Sequence, residues 1–218
     1  DAKDLLNGIT GGDKAGTQVT AHATGDEAND IVLDTFAAVA KVNGPRDRRF
    51  RVEHVQHMKT AAISRFKAQD VIASVQPYHA IDDGRWAVRR IGEERLKTSF
   101  AFGSLVRSGA HVCMGSDWPV APIDPLTGLE AAVDRETIDG KNPNGWFPEQ
   151  RITLAQAMRC YTREGAYAGF NDTKMGMIAP GFLADFVVWD RDFFAIDSHL
   201  LTKASVLRTI VGGVQRFG

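Results

Sequence analysis

Three histidines and one aspartate stand where side chains can do chemistry. His22 closes the strand-like run Gln18–Ala23, and His54 closes Phe50–Val55. His79 follows Val71–Val75 in Gln76-Pro77-Tyr78-His79, and Asp117 follows His111–Gly115 in Ser116-Asp117-Trp118-Pro119. Neutral imidazole nitrogens bind divalent ions such as zinc, and a carboxylate can bind the same ion or accept a proton from its water. Such an ion makes hydroxide available near neutral pH. A lone histidine at a strand end is more often a hydrogen-bonded structural residue. The joint placement of His22, His54 and Asp117 is what turns the reading toward a metal. The other candidates read more plainly. His57 is a loop residue beyond the strand end, His111 opens its strand at the opposite end, and His199 lies on the surface of the tail. Cys113, within an apolar strand, reads as core, and Asp26 as a helix cap.

The elements that must position these residues repeat one grammar: short strand, polar loop, helical stripe. Helices are predicted through Ile31, Val32, Thr35, Phe36 and Val39, then from a cap at Thr60 through Ile63 and Phe66. Others are predicted around Leu96, Phe100, Leu105 and Val106, and through Leu126, Leu129 and Val133. Strands alternating with helices predict an α/β fold with a parallel sheet and right-handed crossovers. In such folds ligand chemistry gathers at the carboxyl ends of the strands. Before the first strand, Leu5, Leu6 and Ile9 read as the tail of a helix stopped by Gly11-Gly12. After the fourth strand the grammar changes. Asn142-Pro143-Asn144-Gly145 with Pro148 reads as a long loop, and Thr153 with Gln156 is a capping-box match. Pro180-Gly181 reads as a turn, Phe186–Trp189 as a buried strand, and Val206–Val211 as a last strand closing on Gly212-Gly213, a small β-rich tail.

Composition narrows the class. The 218 residues carry 26 Lys+Arg against 27 Asp+Glu, with 44% hydrophobic and 24% charged residues, an ordinary globular balance. No basic excess points to nucleic acid or to an anionic membrane, and no run reaches the ~20 apolar residues of a membrane span. The first residues do not read as a signal peptide. The 2 cysteines are too few for a disulfide framework or a thiolate cluster. A cytoplasmic enzyme or binding domain acting on a small molecule is expected.

The motifs His22-Ala23-Thr24-Gly25-Asp26 with Ala28, Glu53-His54-Val55-Gln56-His57, Gln76-Pro77-Tyr78-His79 and Gly115-Ser116-Asp117-Trp118-Pro119-Val120 together resemble the amidohydrolase superfamily. Within it they are similar to the amidohydrolase-3 group of YtcJ-like metal-dependent hydrolases, related to N-substituted formamide deformylase. The segment from Gly176 to Val188 resembles the re-entry of those enzymes into a composite β-sandwich. Five motifs in register over nearly the whole chain carry the resemblance.

The resemblance implies a (β/α)8 TIM barrel holding one or two divalent metals, zinc first, with iron or manganese as alternatives. It makes His22 the ligand on strand five and His54 the ligand on strand six. Asp117 becomes the strand-eight carboxylate that binds metal, takes a proton from the attacking water and passes it to the leaving amine. His79 would hold or polarise the substrate carbonyl, and Trp118 with the Arg85-Trp86 loop would shape the pocket. The His-x-His pair of strand one and the bridging lysine of strand four have no counterpart here. The expected architecture is therefore the C-terminal half of the barrel, strands 5–8, over residues 1–170, with 171–218 as the β-sandwich portion. The missing half is expected either to be lost by truncation or to be supplied by another chain. Open edges of a half-barrel predict a homo-oligomer, with a weak or empty metal site and little turnover by the chain alone. Hydrolysis of an amide, formamide or cyclic amide is the leading expectation. An esterase or lactonase on the same scaffold, or a non-catalytic remnant, are the alternatives.

Overall fold

The computed structural model describes residues 2–218. In chain order the elements are α1 (Ala2–Lys14), β1 (Thr20–Ala23), α2 (Asp26–Asn43), β2 (Arg51–His54), α3 (Thr60–Ala68), β3 (Ile72–Val75), α4 (Pro77–Asp83), α5 (Val88–Leu96) and α6 (Phe102–Arg107). There follow β4 (Val112–Met114), α7 (Pro125–Asp134), α8 (Leu154–Tyr161), α9 (Arg163–Ala168), β5 (Phe186–Trp189), β6 (Val206–Val211) and β7 (Val214–Phe217). They form two compact units: the chain up to Val75 with Asp83–Cys113, and Gln76–Asp82 with Met114–Gly218.

The first unit is built on a sheet of order β1-β2-β3-β4. β1 pairs parallel with β2, and β2 parallel with β3, so the α/β class and parallel sheet stand. The sheet is held by apolar burial. Val52, Ile72, Ala73 and Val75 are closed off from solvent, as are Leu33, Phe36 and Val39 of α2, Phe66 of α3 and Leu105 of α6. Phe36 stacks on Phe50 with ring centroids 4.4 Å apart. Each fully buried side chain of this size stabilises by about 1.5–3 kcal/mol.

Three helix boundaries differ from expectation. Gly11-Gly12 does not stop α1, which runs on to Lys14 and ends before Gly16 at φ 83°. Two helical glycines cost about 1 kcal/mol each relative to alanine. Asp13 offsets that cost: its buried carboxylate accepts from Arg48 Nε at 3.0 Å and from Asn43 Nδ2 at 2.8 Å. Thr60 is not a cap. Lys59 occupies that position, without a side-chain cap bond. Nor does one helix join Leu96 to Val106. Phe100 takes φ 48° between α5 and α6 and donates its N–H to Gln56 O at 2.6 Å. That long-range bond draws the segment out of helical register.

In the second unit, Asp124 caps α7 by accepting from Leu126 N at 2.9 Å, with Pro125 in the first turn. The capping box predicted at Thr153 and Gln156 opens α8. Arg135, fully buried at φ 54°, ends α7, donates Nε to Trp146 O at 2.7 Å and lies over that ring at 5.6 Å. Burial lowers its pKa to about 9. A 3-10 helix, Ser198–Lys203, packs against α7. β5, β6 and β7 form an antiparallel sheet. The Phe186–Trp189 run, expected to be buried, is not: Phe186, Val187 and Val188 are 36–41% exposed. The sheet stands off from α7 and α8 across an apolar cleft of about 700 Å³, lined by Leu129, Met158, Tyr161, Phe186 and Ile210. Gly212-Gly213 does not end the tail but turns it into β7, with φ 59° and 78° supplying the left-handed pair that a tight hairpin needs. Among the described residues, no helix is long and apolar enough to cross a membrane.

Candidate active site

β1 and β2 run side by side with His22 opposite Glu53 and Ala23 opposite His54. The register therefore sets the two histidines one step apart at adjacent strand ends. Their ring centroids are 4.4 Å apart at an interplanar angle of 60°. Val55 N donates to Ala23 O and His57 N to Thr24 O, so the chain stays tied to β1 past the strand. There the backbone departs from the extended conformation, with φ 78° at His54 and 47° at the β-branched Val55. Left-handed backbone at such residues costs of order 1–3 kcal/mol and clusters at functional sites.

Asn29 was not foreseen. It is fully buried on α2, and its Nδ2 donates to Ala23 O, Gly25 O and His57 O at 2.9–3.2 Å. One amide thus clasps the end of β1 to the loop after β2. The sequence held a signal: Asn29 is a polar residue on the same face as Val32, Leu33 and Phe36. Asp26 does not cap α2, since Gly25 holds that position; its carboxylate accepts from Arg95 at 2.7 and 2.9 Å. His57 lies in the loop, as read. Its Nδ1 is 2.7 Å from Ser99 Oγ, and Ser99 gives its own proton to Arg95 O. His57 Nδ1 is then the donor in this pair. Burial, reinforced by the Arg95 charge and opposed by Asp26, pushes the His57 pKa below its ordinary value.

In the second unit, His79 lies on α4 rather than in a loop, with Pro77 at the helix start. Its ring is buried, with Nε2 3.1 Å from Asp117 Oδ2. Asp117 sits at φ 65°, beyond β4, and leads into a cis Trp118-Pro119 bond. Trp118 is 63% exposed. The contact orients the imidazole, and a carboxylate and an imidazole at this distance can share or pass a proton.

The structure thus brings together His22 with His54, and His79 with Asp117. Cys113 is buried and its thiol pKa is raised by that burial. His111 precedes β4 and its carbonyl accepts from Ala73 N. As donor chemistry, two adjacent imidazoles at strand ends fit a divalent zinc-like ion.

The sequence profile of the amidohydrolase family matches residues 3–217. Protein LONG AFTER FAR-RED 3 of Arabidopsis thaliana is 43% identical over 223 residues, all of this chain and 37% of its own length. YtcJ of Bacillus subtilis (strain 168), named as an amidohydrolase, is 32% identical over 91% of this chain and 37% of its own. N-substituted formamide deformylase of Arthrobacter pascens is 31% identical over 94% of this chain and again 37% of its own. The crystal structure of an uncharacterised metal-dependent hydrolase from Pyrococcus horikoshii OT3 superposes with a TM-score of 0.78 at 28% identity, over 91% of this chain and 39% of that one. The chain therefore spans 37% of the length of the curated relatives it matches.

Proposed function

This chain belongs to the amidohydrolase family, and from that premise we propose that it carries part of a metal-dependent hydrolase cleaving a C–N bond in an amide, formamide or cyclic amide. The observation that carries the reading is the His22–His54 ring pair at neighbouring strand ends. In this reading His22 and His54 hold a divalent metal, zinc first, with Asp117 as the carboxylate ligand. The metal would supply Lewis acidity and bring the pKa of water toward ~7.

The remaining steps belong to the chain's own groups. Asp117 takes the proton of the attacking water at a carboxylate oxygen and returns it to the leaving nitrogen. His79, held by Asp117 through Nε2 at 3.1 Å, orients the substrate carbonyl, and the exposed Trp118 ring forms one wall for the substrate. Residues 1–170 serve as strands 5–8 of a barrel and 171–218 as part of a β-sandwich, the chain completing itself as a homo-oligomer. The family match and the metal-dependent hydrolase among the structural relatives support hydrolysis. The deformylase among the relatives favours a C–N bond over an ester.

The test is a hydrolysis assay on N-formyl amines, amides and ethyl esters in a full-length relative, with the substitution matching Asp117→Asn alongside. Loss of a general acid–base group lowers the rate by about 10²–10⁴, so the variant should lose at least a hundredfold on amides while His22→Ala and His54→Ala each lose the zinc equivalent held at the strand ends. Equal amide rates for Asp117→Asn and the parent would overturn the role of Asp117. Ester turnover without amide turnover would overturn the bond assignment.

A further inference from the structure

On α7, within the second unit, another group of metal-ligating side chains converges. Glu130 and Asp134 are four residues apart, so they lie on one helix face a turn apart. The 3-10 helix packed on that face brings His199 to them. One ligand atom from each of the three lies within 4.8 Å of the other two.

The state of these atoms is what calls for a ligand. Asp134 is only 8% exposed. Its Oδ1 accepts from Ser198 Oγ at 2.6 Å, whereas Oδ2 is shut off from solvent and accepts no hydrogen bond. Glu130 Oε2 is shut off in the same way. A buried carboxylate oxygen with no donor is costly, and two carboxylates facing each other raise that cost. His199 Nδ1 stands 3.5 Å from Asp134 Oδ2, outside ordinary hydrogen-bond length. Its Nε2 faces carboxylates at the rim, Glu136 Oε1 at 3.7 Å and Asp197 Oδ1 at 4.0 Å. The ring thus has carboxylates at both nitrogens, Asp134 at Nδ1 and Glu136 with Asp197 at Nε2. Outer carboxylates of this kind orient histidine ligands in metal centres.

We propose that Glu130, Asp134 and His199 form a divalent metal site, separate from the strand-end histidines, that pins the 3-10 helix to α7. Two carboxylates and one imidazole select a zinc-class transition ion; calcium and magnesium take oxygen ligands throughout. His199 is half exposed, so an ion can enter from solvent and keep water at its open positions.

The experiment is calorimetric zinc titration of the metal-stripped chain, paired with melting curves with and without zinc. The parent is compared with Glu130→Gln, His199→Ala and a His22→Ala/His54→Ala double variant. The double variant should keep a zinc equivalent and a zinc-dependent rise in Tm. His199→Ala should bind one zinc equivalent fewer than the parent with a smaller zinc-dependent rise in Tm, and Glu130→Gln, which preserves shape, should bind that equivalent at least tenfold more weakly. An identical isotherm for the parent and His199→Ala, or no zinc bound by the double variant, overturns the site. Because the double variant removes the strand-end histidines, this site and the proposed hydrolytic site fail separately.

Discussion

His57 illustrates how one buried ring ties stability to pH. Its pKa is depressed by burial first, then by the Arg95 charge, with Asp26 opposing. A histidine whose folded pKa lies below its unfolded value of about 6.5 binds fewer protons folded than unfolded once the pH falls to that value. Its contribution is intact above pH 6.5 and is lost as the pH drops toward the folded pKa. Tm should therefore fall between pH 7 and 5, and the fall should be shallower in His57→Gln, which keeps a donor for Ser99. Parallel Tm–pH curves for the two proteins would remove His57 from the account. At the same scale the strand-end histidines could be read from type and place alone. Asn29 offered only its polarity among apolar neighbours, and its role as a clasp was hidden because its three carbonyl partners are met only when α2 lies across the ends of β1 and the loop after β2.

Among the elements, α1 depends most on a single polar anchor. Its glycine pair weakens it locally, while Asp13, 1% exposed, is held by Asn43 at the end of α2, by Arg48 beyond it and by the exposed Arg46 at 3.6 Å. Removing one partner of a buried ion pair leaves the other uncompensated and costs about 3–5 kcal/mol. Asp13→Ala should lower the unfolding free energy by that amount in urea titration, with the loss of α1 helicity seen in far-UV circular dichroism. A change below about 1 kcal/mol, the range of an exposed pair, would mean that α1 is held by its apolar contacts instead. The capping box at Thr153 was legible because every part of it lies within four residues. The break at Phe100 was not, because the bond that causes it reaches back to Gln56.

For the whole molecule, the sheet of the second unit leaves much apolar surface in water. Leu207, Val211, Val214 and Phe217 are 47–58% exposed, in addition to the open face of β5. Exposed apolar patches and unpaired strand edges drive association. Light scattering over a concentration series should give a mass above that of the monomer, and Val187→Lys should move it toward the monomer. A monomer mass for the parent at every concentration would count against self-association.

The sequence by itself determined the α/β class, the parallel sheet and the placement of His22, His54 and Asp117 at strand ends. These follow from periodicity and turn residues, which act over a few neighbouring positions. Tertiary structure alone decided that α1 runs through its glycines, that His79 is helical and 3.1 Å from Asp117, and that β5 lies open beside a cleft. It alone brought Glu130 and Asp134 to His199. Each of these depends on groups distant in sequence that meet only after packing, and the free energy of such meetings overrides local preferences of about 1 kcal/mol.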